Sequence, residues 1–123
     1  MELNLVQKNI ARLYGINPDL AQKLVAHAKD TYFSFCNTEK GELNIQYTKN
    51  SKTHYLHSPK GALAEAKAWK ESLDLEEANV LCVYGVGLGY SFLVLREWLR
   101  THSNRYLVFI EPHPAILFLL MKT

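Results

Sequence analysis

The chain has 123 residues, of which 48% are hydrophobic and 21% charged, the balance of an ordinary globular domain rather than a disordered or membrane chain. Fourteen Lys and Arg against twelve Asp and Glu leave a formal net charge of +2, too thinly spread for a nucleic-acid-binding face. No apolar run approaches the roughly 18 residues that cross a bilayer. "MELNLVQKNIARLYG", with Glu2, Lys8 and Arg12 among its apolar residues, lacks the continuous core of a secretion signal, so a cytoplasmic protein with no membrane partner is expected.

Leu3, Val6, Ile10 and Leu13 recur at helical spacing, and Gly15 is placed to end that helix in a left-handed turn. In "INPDLAQKLVAHAKD", Asn17 caps a second helix, Pro18 fits its first turn, and Leu20, Leu24, Val25 and Ala28 form its apolar face. From Thr31 the period falls to two: "TYFSFCNT", "ELNIQYTK" and "THYLHS" read as a three-stranded antiparallel meander, with Leu43, Ile45 and Tyr47 alternating against Asn44 and Gln46. The polar links "EKG" and "NSK" are short enough for hairpins.

Ser58 and Pro59 are expected as cap and first-turn residue of a third helix, with Leu63, Ala66, Trp69 and Leu73 on one side. "VLCVYG" and "RYLVFIEP" are continuous apolar runs, the pattern of strands buried on both faces. Between them "YSFLVLREWLRTH" carries Phe92, Leu95 and Leu99 at helical spacing, which makes a right-handed βαβ unit with parallel strands. Cys36 and Cys82 lie in strand-like apolar runs and read as reduced core residues. The fold class is therefore α/β: a helical N-terminus and a small antiparallel meander leading into a partial Rossmann-like βαβ unit. As boundaries, 1–30 is the helical pair, 31–58 the meander, and 59–123 the third helix with the βαβ half, in one domain. An isolated βαβ unit leaves sheet surface uncovered and "AILFLLM" is almost wholly apolar, so the chain is expected to be the leading part of a longer protein.

The chemistry-bearing motif is "VYGVGLGYS". Gly85, Gly87 and Gly89 remove Cβ where a helix begins, so a phosphate or carboxylate can approach amide donors and the positive helix end. Tyr90 stands where the dinucleotide fingerprint needs its third glycine. The G-x-G-x-G spacing resembles the first motif of class I S-adenosylmethionine methyltransferases, in which an acid at the end of the second strand holds the ribose hydroxyls. Glu111 has that place, while Tyr84 replaces the acid usual before the first glycine. The alternative is that the glycines only allow tight packing at a sharp corner.

"YLHSPKGALAEAKAWKESLDLEEANVLCVYGVGLGYSFLVLREWL" with "RYLVFIEPHPAIL" resembles the amino-terminal region of the motility-associated factor glycosyltransferases, bacterial proteins implicated in flagellin glycosylation. The shared features are "LHSP", Glu65-Ala66, "GVGLGY" and "FIEP", over about the last seventy residues. In that family a larger central domain carries the nucleotide-sugar chemistry. The resemblance implies a leading domain, non-catalytic by itself, that supports a nucleotide-sugar enzyme, and it assigns no catalytic residue. The partners it implies are the remaining domains of a longer chain or a homo-oligomer.

The candidate ligand-binding residues are Gly85, Gly87, Gly89, Tyr90, Ser91, Glu111 and His113, with a nucleotide-sugar or S-adenosylmethionine as the ligand considered. His113, between two prolines, either touches that ligand or sits at a rigid helix start. His54 and His57, three apart in a strand, point to opposite faces and make a poor metal pair, and His57-Ser58 is read as a helix cap. "GYS" does not supply a nucleophile elbow. Trp69 and Trp98 read as packing residues rather than a base-stacking platform. The remaining alternative is an interaction module whose apolar tail "AILFLLM" docks on a missing domain or a second copy.

Overall fold

A computed structural model describes residues 3–123, so Glu2, expected to interrupt the apolar N-terminus, lies outside the described residues. The fold is mixed α/β, in the order α1 (Leu5–Ile16), α2 (Pro18–Ala26), β1 (Ser34–Asn37), β2 (Leu43–Lys49), β3 (Lys52–Tyr55), α3 (Ala62–Glu71), β4 (Val80–Tyr84), α4 (Tyr90–Thr101), β5 (Tyr106–Ile110) and α5 (Pro114–Leu120). The first sheet is the expected antiparallel meander β1-β2-β3, and the second is the parallel pair β4-β5.

Local chemistry explains most boundaries. Asn4 and Gln7 form a capping box at α1, each side chain accepting from the other's backbone amide at 3.0 Å. Asn17 closes α1 and caps α2, its Oδ1 accepting from Leu20 N, with Pro18 in the first turn. The helix does not stop at Gly15, which lies inside α1; the left-handed turn expected there is absent, and Asn17 supplies the break instead. Asn50 and Ser51 both take positive φ, 53° and 60°, the two-residue turn whose twist suits a hairpin.

Helix α3 departs from its sequence reading. It starts at Ala62 after Gly61, and the Ser58 hydroxyl accepts only from Lys60 N at 3.3 Å. The first-turn amides are met by a carboxylate twenty residues earlier: Ala62 N and Leu63 N donate to the two oxygens of Glu42, at 2.8 and 3.1 Å. Glu42 also accepts from the Thr38 hydroxyl, and these hydrogen bonds, led by that from Leu63, hold its carboxyl below the ordinary range.

The apolar tail is not a free docking element. Ala115, Ile116, Phe118 and Leu119 of α5 are buried, and Ile116 and Leu119 form a core with fully buried Ile45, against which Phe33, Phe35, Leu56 and Leu88 pack. The Asn9 side chain ties α1 to this helix by donating to Met121 O at 2.9 Å. In the βαβ half, Leu95 and Trp98 of α4 are buried, Trp98 Nε1 donates to Leu75 O, and the Arg105 guanidinium lies over the Trp98 ring, 4.9 Å from its centre.

The parallel strands are not buried on both faces. Both alternate, with Leu81, Val83, Leu107 and Phe109 half-buried and Val80, Cys82, Tyr84, Tyr106, Val108 and Ile110 exposed. The continuous apolar run records a sheet suited to cover on both sides; this chain supplies it on one. Cys82 is accordingly exposed rather than in the core, whereas Cys36 is half-buried, its thiol pushed up by desolvation; both are free thiols.

Candidate functional site

The glycine turn joins β4 to α4 at the carboxyl ends of the parallel strands, the usual place for ligands on such sheets. Its three glycines all have positive φ, 90° at Gly85, 51° at Gly87 and 81° at Gly89, a run that side chains with Cβ rarely adopt. Gly89 is the residue before α4 and carries no side-chain cap.

A cleft of about 640 Å³ opens beside this turn. Six of the seven residues singled out from sequence line it: Gly85, Gly87, Tyr90, Ser91, Glu111 and His113. Gly89 does not; a Cβ there would meet Leu120 at 3.9 Å, so it turns toward α5. The cleft continues along Cys82, Val83 and Tyr84 of β4 to Glu65, Ala66 and Trp69 of α3, with no β5 residue in its wall. Trp69, expected as packing, is only half-buried and belongs to this wall.

The amides of the turn are largely engaged within the protein. Gly85 N donates to Ile110 O at 2.7 Å, and Gly89 N to Val86 O at 2.9 Å. Val86 N donates to Glu111 Oε1 at 3.1 Å, while the other oxygen of Glu111 accepts from His113 N at 3.1 Å. The carboxylate thus sits where the glycine turn would receive an anion. His113 itself is exposed, is the residue before α5, and packs its ring against Phe33 with centres 5.5 Å apart.

The fourth amide is met by His57, expected from the sequence at a helix cap. Leu88 N donates to His57 Nε2 at 3.0 Å, which puts the ring proton on Nδ1. The imidazole lies directly on Gly87, where a Cβ would stand 2.6 Å from Nε2, and meets Tyr90 edge-on with ring centres 4.9 Å apart. Desolvation lowers the His57 pKa, against the nearby charges of Glu65 and Glu42, which favour protonation.

Buried Asn44 fixes His57 from the other side. Its amide donates to His57 O at 2.9 Å, and its oxygen accepts from His57 N at 3.0 Å and Ile45 N at 2.8 Å. Alternation had placed Asn44 on the polar face; it is fully buried because it brackets this backbone. Tyr90 completes the bridge, its hydroxyl donating to Leu43 O at 2.6 Å, and burial raises its pKa. His54, by contrast, is exposed and stacks on its cross-strand neighbour Tyr47. Among the described residues no group of three or more His, Cys, Asp or Glu is arranged to hold a metal ion.

Electrostatics limit what the cleft can receive. Its wall holds two carboxylates, Glu65 and Glu111, and two histidines, with neither Lys nor Arg among the lining residues. Trp69, Tyr84 and Tyr90 supply aromatic surface and Ser91 a hydroxyl. Such a wall suits a ligand with an apolar or aromatic body, hydroxyl donors and no dense negative charge.

No protein-family model, no curated protein and no solved structure matches the chain. Among the described residues no helix is long and apolar enough to cross a membrane.

Proposed function

We propose that the chain is a small-ligand-binding support domain of the kind implied by its resemblance to motility-associated factor glycosyltransferases. Non-catalytic by itself, it positions a nucleoside-bearing substrate for a cytoplasmic nucleotide-sugar enzyme formed by further domains or a partner. One observation carries this reading: Gly85 to Ser91 and Glu111 to His113, twenty residues apart, converge with His57 and Glu65 on one cleft at the end of a parallel sheet.

The charge of the cleft favours a second reading, an S-adenosylmethionine-type ligand. A sugar diphosphate would face Glu65 and Glu111 with no lining cation, whereas a ribose diol donates to Glu111 and a sulfonium is attracted by both carboxylates.

Calorimetric titration of the chain with S-adenosylmethionine and with CMP- and UDP-sugars separates the two. Heat with the pyrimidine nucleotides alone supports the glycosyltransferase reading, and heat with S-adenosylmethionine alone the methyltransferase-like one. Glu111→Gln is expected to weaken S-adenosylmethionine binding about tenfold, because it removes a carboxylate that attracts the sulfonium and receives the ribose hydroxyls. No heat with any of them at millimolar concentration removes ligand positioning altogether and leaves the glycine turn a packing corner.

A further inference from the structure

The open face of the parallel sheet has a definite composition and layout. In register, Val80 pairs with Tyr106, Cys82 with Val108 and Tyr84 with Ile110. All six side chains are exposed, the five large ones from 44% at Val108 to 76% at Tyr84, and none carries a charge. Together they present roughly 600 Å² per copy, the upper end of what a monomer leaves open in one apolar patch. Buried completely, two such faces amount to about 1,200 Å², the lower bound of a standard specific interface.

We propose that this face is the interface of a two-fold homodimer. Its bulk is laid out diagonally: Tyr84 ends β4 and Tyr106 begins β5, Val80 and Ile110 hold the other two corners, and Cys82 lies beside Val108 in the middle. A two-fold axis in the plane of the face, along or across the strands, sets each Tyr of one copy against Val80 or Ile110 of the other. Neither axis brings two Tyr together, so the face is complementary to itself in size as well as in polarity. It also adjoins the cleft, because Cys82 and Tyr84 line both; the second copy borders the mouth of the ligand site.

Light scattering on the purified chain across a concentration series is expected to give twice the single-chain mass. Val108→Lys and Tyr106→Lys, both outside the cleft wall, are expected to halve it with unchanged circular dichroism. Ile16→Lys, at an 83% exposed position on α1, leaves the dimer intact. A single-chain mass into the high micromolar range overturns the proposal, whether the face then stays open or takes a different protein. So does a dimer that both lysine variants leave whole. Should those variants fail to fold, thiol alkylation in a Cys36→Ser background gives an independent reading. Cys82 is expected to react at least about tenfold more slowly at high than at low protein concentration, and equal rates overturn the dimer. Ligand titration of the Val108→Lys monomer keeps this outcome separate from that of the cleft.

Discussion

His57 Nε2 accepts the Leu88 amide at 3.0 Å, so a side chain from the end of the meander holds the glycine turn of the βαβ half. The bond needs the neutral ring, because an imidazolium has no acceptor nitrogen. Burial lowers the His57 pKa below its ordinary 6.5, so above that value the ring is neutral in folded and unfolded chains alike and the bond is fully present. As the pH falls below 6.5 the unfolded chain takes up the proton first and stability declines. A two-dimensional NMR titration is expected to show the Leu88 amide moving together with the His57 ring, and His57→Ala to cost about 1–2 kcal/mol in denaturant melts at neutral pH. A Leu88 amide that ignores the His57 titration would contradict this contact.

Two glycines separate space from conformation. Gly87 combines a φ of 51° with a Cβ position 2.6 Å from the His57 ring, so Gly87→Ala is expected to destabilise by about 2 kcal/mol or more. Gly15 sits inside α1 with nothing within 4 Å, and Gly15→Ala is expected to stabilise by roughly 0.5–1 kcal/mol. Thermal melts of the two variants should move in opposite directions.

Tyr90→Phe removes the donor that meets Leu43 O and leaves the ring against His57. The expected loss is about 1 kcal/mol, with the ring staying in place against His57. Urea titration measures the first, and the nuclear Overhauser contacts between the ring and His57 report the second.

Glu42→Gln tests the remote cap. The native carboxyl has a lowered pKa, so its contribution is present above its ordinary value of 4.5 and is lost as the pH falls through the folded-state value. The variant is expected to melt several degrees lower than the parent at neutral pH and to converge with it in acid. A difference that persists unchanged at low pH would place the effect elsewhere.

What the sequence made legible was local. The Asn17 cap, the hairpin at Asn50-Ser51, the parallel pair and the glycine corner all follow from neighbours within a few residues. The convergence of Glu111 and His113 with the turn followed from the βαβ topology. Three features depend on contacts across the chain and have no local signature: Glu42 in place of Ser58 at α3, Asn44 buried around the His57 backbone, and His57 on Gly87. The run "VLCVYG" misled for a related reason. It encodes what the strand is suited to contact, while the exposure of Cys82 and Tyr84 depends on which surfaces are present to cover them.

The Glu42 cap also bears on the order in which the chain acquires its structure. Helix α3 has ten residues, short for a helix that must form unaided, and the group that receives its leading amides belongs to the residue just before β2. Its helical turns are therefore expected to become persistent only once the first hairpin has brought Glu42 into place. On refolding, the meander should gain hydrogen-exchange protection before α3, making the antiparallel sheet a template for the parallel half rather than an appendage to it.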